Sequence, residues 1–149
     1  MKNEAIISIK GISKQFAMGT GKFTALSNIN MDIYKGEFIG IVGPSGSGKT
    51  TLLNIIGSLD TPTSGTAIVL GNDISKLNAK KSAFLRKTKL GFIFQTYNLL
   101  PVHTVFENVE FPLLLLKLSV EKRRTKVNEA LSWLGIAGKA NQRPAQLSG

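Results

Sequence analysis

The chain contains no cysteine, which excludes disulfides and thiolate metal sites. Its single histidine, His103, cannot build a histidine-rich metal site and reads as a surface or interface residue. Long apolar runs are missing as well. The greasiest stretch, residues 111–116, contains Pro112 and stops at Lys117, far short of the roughly 20 residues that span a bilayer. Ala5-Ile6-Ile7 is soon interrupted by Ser8 and Lys10, so no secretory signal pattern is visible. Acidic residues are scarce: 9 Asp and Glu stand against 19 Lys and Arg, a formal charge of +10. Residues 1–75 hold six basic and five acidic side chains, so nearly all the excess falls later, around Lys76 to Lys89 and Lys117 to Lys126. Such runs suit anionic partners, but they are equally the solvated faces of helices. With 42% apolar residues in 149, the chain has the size and composition of one folded domain, cytosolic or peripheral to a membrane.

What is present is organised around Gly43-Pro44-Ser45-Gly46-Ser47-Gly48-Lys49-Thr50, the phosphate-loop pattern G-x-x-x-x-G-K-[ST] without departures. An apolar run, Phe38-Ile39-Gly40-Ile41-Val42, precedes it and predicts a buried, central, parallel strand. After it, Leu52, Ile55, Ile56 and Leu59 keep the spacing of a helix with one apolar face. A glycine-rich turn opening a helix points backbone N–H groups and the positive end of the helix dipole at an anion. Lys49 can reach the β- and γ-phosphates of a nucleotide, and the Thr50 hydroxyl can ligate Mg²⁺.

Elsewhere, residues 5–12 predict a strand, followed by Lys14-Gln15-Phe16 and a loop with Gly19 and Gly21. In a second strand Ile29, Met31 and Ile33 face inward and Asn28, Asn30 and Asp32 outward, which predicts an antiparallel, one-sided sheet. Asp60-Thr61-Pro62-Thr63-Ser64-Gly65 is turn chemistry before a short strand over residues 67–70. A basic helix is predicted over residues 79–86 and a short strand over 90–94, ending at Gln95. Thr104 and Glu107 form a capping-box pattern, opening a helix that Pro112 cuts short. Ser119 caps a longer helix with Val127, Leu131 and Leu134 as its stripe, Trp133 beside them, and Gly135 and Gly138 as its stop.

A phosphate loop alone leaves several nucleotidases open, but the guanine-reading N-K-x-D box of small GTPases is absent. Three further features occur in order: Phe16, an aromatic upstream; Gln95, 46 residues after Lys49; and Leu147-Ser148-Gly149. Together with the loop these resemble the ATP-binding-cassette (ABC) transporter ATPases. The closest likeness is to the lipoprotein-release, macrolide-export and antimicrobial-peptide-export branch. Residues 54–65, Asn-Ile-Ile-Gly-Ser-Leu-Asp-Thr-Pro-Thr-Ser-Gly, and 92–101, Phe-Ile-Phe-Gln-Thr-Tyr-Asn-Leu-Leu-Pro, carry it.

The resemblance implies an α/β fold: a P-loop NTPase (RecA-like) core, an antiparallel β subdomain and an inserted helical subdomain. Residues 1–95 would supply the β subdomain and the first part of the core, and 96–149 the helical subdomain. It implies ATP and Mg²⁺ as ligands. Phe16 would stack on adenine. Gly43, Ser45, Gly46, Ser47, Gly48, Lys49, Thr50 and Thr51 would hold the phosphates. Thr50 and Gln95 would serve the metal, with Lys49 and Gln95 as the catalytic pair. Ser148 and Gly149 would reach the γ-phosphate of ATP on a second ATPase subunit in a head-to-tail dimer. A membrane permease would dock near Gln95 and the stretch from Tyr97 to Leu116, where Tyr97, Leu99, Leu100, Val102, Val105, Phe106 and Val109 are split between core and docking patch. The expected place is the cytoplasm, peripheral on the inner face of the cell membrane.

No residue matches the Walker B aspartate, the catalytic glutamate or the switch histidine of the family, and the last three residues match only the start of its L-S-G-G-Q signature. The expectation is an incomplete cassette with an open sheet edge, marginal stability, weak nucleotide binding and no turnover alone. A soluble ABC-type ATPase working on nucleic acid or the ribosome, and an inactive truncated gene product, remain open. The greasy stretch after Gln95 favours a membrane partner, with no nucleic acid expected.

Overall fold

A computed structural model describes residues 4–147. The chain divides into two compact units, Met1–Phe92 and Ile93–Gly149. The first is built on a four-stranded antiparallel sheet ordered β2-β1-β3-β4. Its strands are β1 (Ala5–Met18), β2 (Gly21–Tyr34), β3 (Ser64–Val69) and β4 (Asn72–Asp73). The expected alternation holds in β2, where Ile29, Met31 and Ile33 are half-buried and Asn30 and Asp32 exposed. Strand β1 is longer than periodicity predicts, because Lys14, Gln15 and Phe16 continue the ladder opposite Leu26, Thr24 and Phe23. A bulge hides this continuity. Gly11 sits at φ +60 with its N–H held by Asn30 Oδ1 at 2.8 Å, and the register slips between Ile9 and Ile12.

Helix α1 (Lys49–Ile56) and helix α2 (Ala79–Lys89) complete this unit. Ile9, Ile12, Leu26, Leu52, Ile55, Ala67, Val69, Ile74 and Leu85 form its core, with a 3₁₀ turn at Ile74–Lys76 placing Ile74 in it. Leu52 and Ile55 are buried as the helical spacing predicts, but α1 stops at Ile56, so Leu59 leaves the stripe and is exposed. Asn78 caps α2 by accepting from the Lys81 N–H at 2.9 Å.

Two expected strands are not formed. Residues 38–42 and 90–94 are irregular. Phe38 and Ile93 are fully exposed and Val42 nearly so, while Ile41 and Leu90 pack partly on the core. The reason is physical: a strand exists only by pairing, and every ladder among the described residues is antiparallel. An apolar run reports a tendency to be buried, not the presence of a partner strand.

The second unit packs helix α3 (Val105–Leu114) against helix α4 (Val120–Trp133) around Val105, Val127 and Leu131. The Thr104 box is complete: Thr104 Oγ1 accepts from the Glu107 N–H at 3.2 Å, and Glu107 Oε2 accepts from the Thr104 N–H at 2.7 Å. Pro112 does not cut α3 short; the helix runs to Leu114. At residue 112 only the bond back to Asn108 is forfeited, and the last turn follows directly. Ser119 caps α4 as expected, accepting from the Lys122 N–H at 3.4 Å. Leu134 is 70% exposed, because α4 ends at Trp133 and Gly135 turns the chain at φ +69. His103 is not a plain surface residue: it is half-buried, edge-on to Phe111 with ring centroids 6.3 Å apart. Arg123 bridges the helices, donating to Glu110 Oε1 at 2.9 Å and to the Leu118 carbonyl.

Two tests follow. Gly65 sits at φ +85, where a Cβ would stand 2.5 Å from the carbonyl carbon of Gly11 and closer still to its oxygen. Gly65→Ala therefore forces β3 away from the β1 bulge and costs about 2 kcal/mol or more, read as a lowered urea midpoint; an unchanged midpoint refutes the close approach. In the second unit, the Thr104 N–H and hydroxyl hold the Glu107 carboxyl below its ordinary pKa. A depressed folded pKa stabilises fully above the ordinary glutamate value of about 4.3 and is lost as pH falls through the folded value. Acid titration should therefore loosen the start of α3, followed at the amides of residues 104–108, and Glu107→Gln should flatten that dependence.

Candidate functional site

Residues 43–48 form a curled loop that runs into α1. Gly48 is the hinge. It takes φ +86 at the N-cap, where its backbone lies against β2. A Cβ there would meet the Ala25 carbonyl oxygen at 2.5 Å and Leu26 Cδ2 at 2.8 Å. Only glycine lets the loop come this close to the sheet at that φ. Gly46 also takes a positive φ of 78, and Ser47 N–H closes the turn on the Pro44 carbonyl at 3.3 Å.

Lys49 crosses this loop. Its ammonium donates to the carbonyls of Gly43 at 2.9 Å and Pro44 at 2.7 Å and to Ser47 Oγ at 3.3 Å. None of the ion pairs formed among the described residues involves Lys49. No side chain caps α1, and its first turn holds no acid. No hydrogen bond among the described residues takes up the N–H groups of Gly46, Gly48, Lys49, Thr50 or Thr51. Amides without partners, an uncapped helix start and a cation without a carboxylate thus belong to one short stretch, residues 46–51. Groups of these kinds are what an anion at a helix N-terminus pairs with. The Thr50 side chain is exposed at the same helix start and forms no hydrogen bond. Among the described residues no group of three or more acidic or histidine side chains could hold a metal.

Phe16 lies in the same unit. It pairs with Phe23, three residues from the Leu26 that touches Gly48, so its backbone stands about 10 Å along the hairpin from that contact at the usual rise per residue. The ring is 40% exposed and carries the Lys14 ammonium 5.0 Å from its centroid. Gln95 belongs to the second unit, exposed on a bend. Ser148 and Gly149 lie outside the described residues; Leu147 before them packs against the α3–α4 core. The structure thus brings together the loop from Gly43 to Thr51 and sets the Phe16 hairpin against it.

Sequence reading missed two supports. One is Asn108, whose side chain accepts from the Leu100 N–H at 2.8 Å and donates to the carbonyls of Leu100, His103 and Thr104, tying down the segment before α3. The other is the pair Lys14 and Asp60, 2.6 Å apart.

The loop, its helix start and the lysine form a candidate phosphate-binding site. The ABC transporter family model matches residues 26–149, and the chain belongs to that family. It is 38% identical over 144 residues to an uncharacterized ABC transporter ATP-binding protein of Thermotoga maritima, covering 97% of this chain and 62% of the relative. It is 43% identical over all 149 residues to the macrolide export ATP-binding/permease protein MacB of Brucella abortus, but spans only 23% of it. Among solved structures, the dimeric ATP-binding cassette MJ0796 in a post-hydrolysis state with ADP and Pi superposes with a TM-score of 0.87 at 41% identity, over 95% of this chain and 63% of that one. The fold is that of an ABC ATPase cassette.

The Gly48 contact yields a test. Gly48→Ala pushes the loop off Ala25 and Leu26. Binding of inorganic tripolyphosphate should weaken at least tenfold, measured by calorimetry, while the circular dichroism spectrum stays that of the parent. Undiminished binding refutes the hinge.

Proposed function

We propose that these residues form the nucleotide-binding part of an ATPase that drives transport through a membrane permease, with export as its direction. The carrying observation is the Lys49 ammonium held inside a loop of unpaired amides. The Brucella relative, named for macrolide export and for both ATP-binding and permease functions, supports the export reading. The cassette MJ0796, solved as a dimer with ADP and Pi, supports ATP as ligand and pairing of two cassettes.

On this reading Gly43, Ser45, Gly46, Ser47, Gly48 and Thr51 cradle the phosphates, mainly through backbone N–H groups. Lys49 swings from the Gly43 and Pro44 carbonyls to phosphate oxygens. Thr50 offers its hydroxyl to Mg²⁺, which neutralises charge between the phosphates when bound. Phe16 stacks on the base. Gln95, exposed on a bend in the second unit, is the candidate for orienting the attacking water. Ser148 and Gly149 serve the nucleotide of a second subunit. Hydrolysis belongs to the paired, whole protein. In the second unit Tyr97, Leu99, Leu100, Val102, Phe111, Leu114 and Leu115 are exposed, while Val105 is buried and Phe106 and Val109 partly so. That apolar surface beside Gln95 suits a permease and a place on the cytoplasmic face of the membrane. Among the described residues no helix is long and apolar enough to cross a membrane.

A fluorescent ATP analogue tests the proposal. Lys49→Ala should weaken its binding at least tenfold, and Thr50→Ala should remove the gain in affinity on adding Mg²⁺ while leaving Mg²⁺-free binding alone. Equal affinity of Lys49→Ala and parent would overturn the assignment.

A further inference from the structure

We infer that Lys14 is a positioning residue for nucleotide binding, holding Phe16 as a base platform and tying that platform to the helix that carries the phosphate loop. The inference rests on the reading of Phe16 and the loop as one ATP site.

Lys14 is a cation with its side chain only 12% exposed, and each of its contacts is specific. Its ammonium donates to Asp60 Oδ1 at 2.6 Å and to the Thr61 carbonyl at 2.7 Å, and lies 5.0 Å from the centroid of Phe16. That distance is within the range of a cation–π interaction. The anchor is itself fixed. Asp60 Oδ1 also accepts from the Thr61 N–H at 2.7 Å, and the N–H groups of Leu59 and Asp60 both close on the Asn54 carbonyl in α1, at 2.8 and 3.2 Å. Beside it, Thr63 N–H donates to the Ser13 carbonyl at 2.9 Å, and Gln15 N–H donates to Thr63 Oγ1 at 3.0 Å. So β1 is stapled to the segment leaving α1 at the step before Phe16.

The consequence is geometric. One end of α1 presents Lys49, Thr50 and the free amides; the segment leaving its other end holds Lys14, and Lys14 sits on one face of the Phe16 ring. The ammonium covers one face of the ring, and the residue keeps 40% of its surface exposed, where a purine could stack. A cation behind the ring draws its π-density inward and fixes its plane, so stacking costs less ordering when the base arrives. Neither the phosphate loop nor the family resemblance assigns Lys14 this role.

The test compares ATP with inorganic tripolyphosphate on the full 149-residue chain, by calorimetry, in the parent, Lys14→Gln, Lys14→Arg, Asp60→Asn and Phe16→Leu. Lys14→Gln should lose about twofold to thirtyfold in ATP affinity, the span from exposed to desolvated cation–π contacts, with tripolyphosphate binding unchanged. Asp60→Asn, which loosens the ammonium but keeps both ring and lysine, should show the same selective loss in smaller measure. Lys14→Arg, keeping charge and reach, should restore ATP binding. In the Phe16→Leu background, Lys14→Gln should cost nothing further. Equal losses for ATP and tripolyphosphate, or a full additional loss without the ring, would make Lys14 a structural residue and overturn the inference. A parent chain that binds tripolyphosphate but gains nothing from the base would overturn it too. A parent that binds neither would instead overturn the phosphate-site reading beneath it.

Discussion

The contact on which the site depends is the approach of the Gly48 backbone to Ala25 and Leu26 of β2. It presses the phosphate loop onto the antiparallel sheet at a separation no side chain allows. Leu26 is also a core residue, packed with Leu52 and Ile55 from the buried face of α1. The loop is therefore clamped at its C-terminal end by hydrophobic burial and glycine geometry together. At its N-terminal end it has no such support, because residues 38–42 form no strand. There the closing force is electrostatic: the Lys49 ammonium draws the Gly43 and Pro44 carbonyls toward itself. Packing at one end and a charge at the other give the loop its curl without a parallel sheet beneath it.

The same division of labour runs through the chain. Each unit has its own small core, one built from sheet and two helices, the other from α3 and α4. Polar side chains then fix what the cores leave loose. Asn108 holds the segment before α3, Arg123 and Glu110 bridge α3 to α4, and Lys14 with Asp60 staples the hairpin to the segment after α1. Hydrogen bonds to charged groups of this kind are stronger than neutral ones, and their direction is what makes them useful for holding irregular backbone.

What could be read from the sequence divides along the same line. Features set by neighbours within one turn were legible: the loop from Gly43 to Thr50, the Thr104 box, the Ser119 cap, the alternation in β2 and the buried pair Leu52 and Ile55. Features that need a distant partner were not. Residues 38–42 and 90–94 have strand-like composition, but composition cannot supply a neighbouring ladder. The bulge at Gly11 broke the period that would have carried β1 through to Phe16. Leu134 and Leu59 kept helical spacing just beyond the point where each helix stops. Pro112 was given more power to end a helix than a last-turn position grants it. Of the candidate site, the loop motif from Gly43 to Thr50 is local and legible, whereas the Lys14 and Asp60 support spans 46 positions in sequence and has no local signature.

Lys49 shows why a loop closed on itself is a good receptor. Its ammonium is satisfied before any ligand arrives, by two carbonyl dipoles and a hydroxyl. A phosphate oxygen carries a formal share of negative charge that a carbonyl dipole does not, so exchange of partners is downhill without leaving the cation bare at any step. Under the proposed function, the carbonyls it releases are on an exposed loop, where water can take them up, and the unpaired amides of Gly46 and of residues 48–51 gain partners in the same event. Anion binding would therefore convert an internally strapped loop into an externally strapped one of similar shape. The ordering that binding normally costs has largely been met in folding, by Gly48 against β2 and by the lysine itself.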